Sequence, residues 1–523
     1  MMDFISAKRQ LSLEEKVGQL FMPAAFINDT EAEIQELETL IKKHAIGGIC
    51  FFHSRASAAT NYEGKKPVVY NDNSLAVLKT LINRYQRLSK YPLLIAIDAE
   101  WGLAMRVENT AQYPYAITLG AIQDDVSLLY EVGKNIAQDC KSAGIHWNLS
   151  PVADINNNPD NPVIGYRSFG DDRERVTSKS IAYVKGTESE GVLTSIKHFP
   201  GHGDTATDSH LGLPVINKSK EELLKNELYP FQELINEGVD SVMVGHLSVP
   251  ALANGENIPS SISKKIIKGV LREEMQFKGA VISDALNMHA VSKNYPIPGE
   301  LEWLAFDAGN DVLCFAEHTK EGIERILTEA NSNQIDESFE RVWKLKEKAI
   351  KNLKDHNNNS APYWLAKNLN YAIAEKCLTI LKGSDKDIAE FRTTDFCTVT
   401  FKRFVENETR SEILASLALL ESEVSEENEV LLLLTPPNVK PANNFGFFTE
   451  EIDFINNLMD EKKVVLYHYG NPYALQHFKF DKSLVTVVVY QDFTEFQEVA
   501  TAHFLGKTKA LGKLPFKLKT NVI

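Results

Sequence analysis

The chain has 523 residues, 43% of them hydrophobic and 24% charged. That is globular composition, at a length beyond one ordinary core, so two domains are expected. A formal net charge of −15 argues against a nucleic-acid partner, whose phosphates would be repelled over most of the surface, and leaves a neutral sugar open as ligand. The longest apolar runs, such as Leu431–Thr435 and Val485–Tyr490, are strand length and fall short of the ~20 residues a membrane span needs, so no membrane insertion is expected.

From the N-terminus, Met1-Met2-Asp3-Phe4-Ile5-Ser6 lacks a basic segment followed by an apolar one, so the chain reads as cytoplasmic as written. A periplasmic or secreted chain trimmed of its export signal would look the same. The apolar runs Ala45–Phe52, Leu93–Asp98, Ile145–Leu149, Thr194–His198, Ser241–Gly245, Ala280–Ser283 and Asp311–Phe315 predict strands. Helical patterns such as Ser127–Lys141 and Lys220–Glu237 lie between them. This alternation predicts a parallel sheet, and seven or so units over ~330 residues fit a TIM-like (β/α) barrel. A long helix over Asp336–Lys354 leads into the polar break Asp355–Pro362. The expected organisation is a barrel catalytic domain over 1–355, a linker over 356–369 and a smaller α/β sandwich domain over 370–523. Within the last, helix Asn370–Thr379 and strands Val430–Thr435, Val464–Tyr469 and Val485–Tyr490 are expected. Five cysteines, with no CxxC pair and mostly in apolar stretches, suit reduced buried thiols.

Several predicted strands end in polar groups: Asp98 and Glu100, Lys197-His198, His246, and Ser283-Asp284. Residues at the C-terminal ends of barrel strands converge on one face, where such barrels hold their active sites. The densest segment, Lys197-His198-Phe199-Pro200-Gly201-His202-Gly203-Asp204-Thr205-Ala206-Thr207-Asp208-Ser209-His210, puts three histidines, two aspartates and a lysine into one loop after a strand. A metal site is one reading of it. The Gly/Pro loop lacks HxH or HExxH spacing, however, and Lys197 would set a positive charge beside the ion. The other reading is metal-free and cofactor-free acid/base chemistry. A histidine titrates near neutrality, Asp208 two residues before His210 can support its imidazolium, and Asp284 at a strand end is placed for nucleophilic attack.

These residues, with Asn161-Pro162-Val163-Ile164-Gly165-Tyr166-Arg167-Ser168-Phe169-Gly170 and Gly279-Ala280-Val281-Ile282-Ser283-Asp284, resemble glycoside hydrolase family 3, and most closely its β-N-acetylglucosaminidase branch. The similarity extends over nearly the whole chain. Ala374-Glu375-Lys376, Gly470-Asn471-Pro472-Tyr473-Ala474 and Phe504–Pro515 resemble the second domain of two-domain members. Position by position, the resemblance implies Asp284 as nucleophile, His210 as acid/base and Asp208 as its partner. It implies Arg167, Lys197 and His198 as ligands of the sugar at the non-reducing end, with Asp98 and Arg106 as further substrate-binding residues. Asp98-Ala99-Glu100-Trp101-Gly102 stands where the branch more usually carries a DQEGG-type run. The implied reaction is retaining release of terminal β-linked N-acetylglucosamine from a small carbohydrate, cell-wall muropeptides or chitin-type oligosaccharides, with no cofactor; nothing bears on protein partners. A β-glucosidase or β-xylosidase of the same fold, a β-N-acetylglucosaminide phosphorylase and a non-catalytic sugar-binding protein are the rival readings.

Overall fold

The computed structural model describes residues 2–55, 70–123, 125–205, 212–354, 363–403, 410–424 and 428–518. The chain forms two compact units, one of residues 1–113, 129–155 and 176–366, the other of residues 114–128, 156–175 and 367–523.

In the first unit the apolar runs become short strands: β1 Phe21–Met22, β2 Ala24–Phe26, β3 Gly48–Phe52, β4 Leu94–Ile97, β5 Trp147–Asn148, β6 Leu193–Thr194, β7 Ile196–Phe199, β8 Ser241–Val244, β9 Ala280–Ser283 and β10 Leu313–Cys314. Pairing is parallel from β2 through β3, β4 and β5 to β6, and again from β7 through β8 to β9. A parallel bridge from Ile282 to Val312 carries the ring on to β10, which pairs with β1. Since β1 and β2 are interrupted only at Pro23, and β6 and β7 only at Ser195, the described segments make a closed ring of eight parallel staves. Helices such as Glu31–His44, Ser74–Leu88 and Tyr229–Asn236 connect them and Thr319–Glu329 follows the last, which is the TIM-like barrel arrangement. Staves buried on both faces read as largely apolar runs, as β4, β8 and β9 do; β7 is equally buried but carries Lys197 and His198 within it.

The predicted strands coincide with β3 to β10, while the first stave was not among them. Proline cannot donate to a sheet ladder and marks a break in a strand pattern, and Pro23 sits in the middle of Phe21–Phe26. Gly47 is required where this stave's entry crosses the next: a Cβ there would lie 1.9 Å from the Gln19 carbonyl oxygen. The long helix runs Ser332–Lys354 and buries Ile335, Phe339, Val342, Trp343, Lys346 and Ala349, a spacing of three and four residues that makes one helical face.

The second unit is built on β11 Thr379–Lys382, β12 Cys397–Phe401, β13 Glu429–Leu434, β14 Lys463–His468 and β15 Val485–Val488, in the order β11-β15-β14-β13-β12. All pairs are parallel except β11 with β15, and helices including Asp385–Phe391, Thr449–Glu461 and Thr494–Phe504 complete the α/β sandwich. Residues 114–128 and 156–175 belong here through several contacts. Gln491 donates to Thr118 Oγ1 at 2.7 Å, Asn156 to the Tyr473 hydroxyl at 2.7 Å, and Arg175 to the Pro515 carbonyl at 2.9 Å. Among the described residues no helix is long and apolar enough to cross a membrane. The five cysteines are free thiols, four of them buried.

Candidate active site

Because the barrel staves are all parallel, their C-terminal ends open on one rim. Asp98 follows β4, Lys197 and His198 lie within β7, His246 follows β8 and Asp284 follows β9, so the topology alone gathers the strand-end polar groups.

Lys197 makes buried charged contacts with two carboxylates at this rim. Lys197 Nζ donates to Asp98 Oδ1 at 2.7 Å and lies 2.8 Å from Glu100 Oε1, and only 2% of its side chain is exposed. Arg106 Nη2 donates to Asp98 Oδ2 at 2.9 Å, and the guanidinium lies over the Phe52 ring at 5.3 Å. Burial pushes the Asp98 carboxyl upward, but Lys197 and Arg106 outweigh it and hold the group at about 2. Glu100, a strand-end polar group in the sequence, is thus a second anion on Lys197. With both oxygens committed to cations, Asp98 is suited to accepting hydrogen bonds from hydroxyls rather than to forming covalent bonds.

Asp284 is arranged differently. Its backbone N–H donates to the Val244 carbonyl at 2.9 Å, fixing β9 to β8 at the point where the chain leaves the barrel. One carboxylate oxygen accepts the Ala285 N–H at 2.8 Å; the other has no hydrogen bond among the described residues. Burial raises the carboxyl's pKa, but His246, His198, the Ala285 N–H and Lys197 together bring it below the usual value. Asp284 is therefore ionised at neutral pH, the state a nucleophile needs. His246 orients this turn. The Ala285 carbonyl can only accept, so His246 Nε2 donates to it at 2.9 Å, while Nδ1 meets Ser261 Oγ at 2.7 Å.

His198 and His202 occupy the start of the histidine loop, their rings edge to face at 5.8 Å. Both are held by Asp154, through the His198 ring Nδ1 at 2.7 Å and the His202 backbone N–H at 2.8 Å. Burial, with His198 alongside, pushes His202 down to about 4, so it is neutral at physiological pH. Among the described residues no group of three or more His, Cys, Asp or Glu side chains converges as a metal site would require.

The structure thus brings together Asp98, Arg106, Lys197, His198 and Asp284 of the expected residues. Arg167 belongs to the second unit, on the turn Gly165–Arg167, where its Nη1 donates to the Val163 carbonyl at 3.2 Å. Asp208 and His210 lie outside the described residues. Two residues not assigned from sequence, Asp154 and His246, support the loop and the Asp284 turn. The signal for His246 was its place at a strand end; Asp154, six residues beyond β5, carried none.

Comparison with known proteins agrees with the barrel fold. Residues 12–345 match the model of the glycosyl hydrolase family 3 N-terminal domain. Beta-hexosaminidase A of Pseudoalteromonas piscicida is 33% identical over 342 residues, covering 60% of this chain and 55% of that protein. The match therefore spans just over half of that relative. The beta-hexosaminidase of Hydrogenovibrio crunogenus is 28% identical over 361 residues, covering 67% of this chain and 94% of its own. Among solved structures, a glycoside hydrolase family 3 beta-N-acetylglucosaminidase from Paenibacillus sp. superposes with a TM-score of 0.78 at 27% identity, covering 98% of this chain and all of that one.

Proposed function

The chain belongs to glycosyl hydrolase family 3, and from that premise we propose that it is a retaining exo-β-N-acetylglucosaminidase. The observation that carries this reading is the contrast between two carboxylates on one rim. Asp98 is held by Lys197 and Arg106 on its two oxygens, while Asp284 is ionised and, among the described residues, has one oxygen engaged. The first is built to hold hydroxyls and the second to attack carbon.

In the proposed reaction an oxygen of Asp284 bonds to the anomeric carbon as the bond from that carbon to the aglycone oxygen breaks. His210, as imidazolium supported by Asp208, delivers its proton to the departing oxygen. Neutral His210 then takes a proton from water, whose oxygen displaces Asp284 and frees the sugar with its configuration retained. Asp98, Arg106, Lys197 and His198 hold the terminal sugar. The choice of N-acetylglucosamine is supported by the beta-hexosaminidase relatives and by the Lys197–His210 motif. Muropeptides or chitin-type oligosaccharides are the natural substrates this chemistry suits, the former placing the enzyme in peptidoglycan recycling.

The test is release of 4-nitrophenol from its N-acetyl-β-glucosaminide, β-glucoside and β-xyloside, each with and without phosphate and with and without a chelator. Turnover confined to the first, unaffected by chelation and giving free sugar, is expected. Sugar 1-phosphate formed only with phosphate would identify a phosphorylase, and a preference for the β-glucoside would overturn the sugar assignment.

A further inference from the structure

The loop after β7 is anchored on one carboxylate. Asp154 is fully buried. Its Oδ1 accepts the backbone N–H of His202 at 2.8 Å and of His198 at 3.1 Å, while Oδ2 also accepts the His198 N–H at 3.1 Å and meets the His198 ring Nδ1 at 2.7 Å. The carboxylate is delivered from the neighbouring stave, because Ala153 N–H donates to the Lys197 carbonyl at 2.8 Å and Val152 bridges Lys197 in parallel.

We propose that Asp154 is a positioning residue that fixes the His198 proton on Nδ1 and so presents Nε2, across the ring, as the acceptor for a hydroxyl of the bound sugar. The sugar half of this statement rests on the glycosidase reading above; the tautomer does not. A carboxylate accepting N–H groups from two residues is stabilised in its ionised form, and the neighbouring His198 and His202 draw Asp154 below its ordinary range despite burial. An ionised carboxylate has no proton to give, so the 2.7 Å contact has one polarity: Nδ1–H donates. The neutral ring then carries no hydrogen on Nε2. His202 is constrained in the same sense. The Thr205 hydroxyl donates to the His202 carbonyl at 3.1 Å, so the Thr205 oxygen accepts His202 Nδ1–H at 2.8 Å. Neither ring can exchange tautomers without breaking a buried hydrogen bond.

Asp154→Asn separates positioning from simple anchoring. Its carbonyl oxygen can still take both backbone N–H groups, but its amide N–H faces His198 Nδ1 and favours the opposite tautomer. The experiment is the ¹⁵N spectrum of histidine-labelled full-length protein at alkaline pH, with the His198 signals assigned by their loss in His198→Gln. The wild type is expected to show a pyrrole-type Nδ1 and a pyridine-type Nε2. A pyridine-type Nδ1 overturns the proposal without any variant having to fold. In Asp154→Asn the two types should exchange and kcat/KM on the N-acetyl-β-glucosaminide should fall about 10- to 100-fold, as for other residues that orient a functional histidine. An exchanged tautomer with unchanged kcat/KM, or a fall without exchange, also overturns it. Should the wild type cleave no glycoside, the glycosidase reading fails, while the nitrogen spectrum still decides the tautomer.

Discussion

Lys197→Met removes the cation between two carboxylates, and the structure indicates what should follow. Asp98 is held at about 2 against an ordinary value of 3.8. At ~1.36 kcal/mol for each pH unit between the two values, ionised Asp98 contributes, net of its burial, roughly 2.5 kcal/mol to folding at pH 7. The folded value lies below the unfolded one, so this stability is present above about pH 4 and is lost as pH falls through the folded value. Lys197 is the larger of the two cationic influences on Asp98 and also serves Glu100. Its loss leaves Asp98 with Arg106 alone and Glu100 without this cation, for a combined cost of about 3 to 5 kcal/mol, the range for a broken buried ion pair. The variant's Asp98 then takes up a proton at a pH where the wild type does not, so the deficit narrows on acidification. Urea unfolding followed by tryptophan fluorescence at intervals from pH 8 down to the lowest pH at which both proteins stay soluble measures this. A deficit under about 1 kcal/mol, or one that stays constant with pH, refutes the argument that Lys197 keeps a buried carboxylate charged.

Asp284→Asn is expected to lower kcat by more than about a thousandfold with Tm unchanged; retention of about a tenth of wild-type kcat would remove Asp284 from the nucleophile role. His210→Ala should damage cleavage of natural disaccharides far more than of a dinitrophenyl glycoside, with azide partly restoring turnover of the latter. Equal losses on both substrates would make His210 a binding residue. Lys346 is fully buried, donates to the Gln19 side chain and is pushed by burial to about 7, below its unfolded value. Below the unfolded value the unfolded chain holds a proton that the folded one lacks, so this lysine makes stability fall by about 1.4 kcal/mol for each pH unit from pH 9 towards 7. Lys346→Met should abolish that decline, and parallel unfolding curves for the two proteins at pH 9 and pH 7 would contradict it.

The barrel was legible in the amino-acid order because staves buried on both faces are mostly apolar, and polar groups enter at or near their C-terminal ends. Asp98, Lys197-His198 and Asp284 stood out for the same reason, as polar groups at the ends of apolar runs. The first stave was hidden by Pro23, and β11 and β12, the two edge strands of the second sheet, were not singled out. No local signal tied Asp154 to His198, 44 residues away, or His246 to the Ala285 carbonyl, 39 residues away. Nor did any mark 114–128 and 156–175 as part of the unit that holds Tyr473 and Gln491, more than 300 residues further on. Local order dictates which residues can be strands and which strand ends carry charge, because backbone geometry and hydrophobic periodicity act over a few positions. Which carboxylate is paired with cations and which histidine nitrogen meets a carboxylate depend on groups that only closure of the barrel brings within hydrogen-bonding distance.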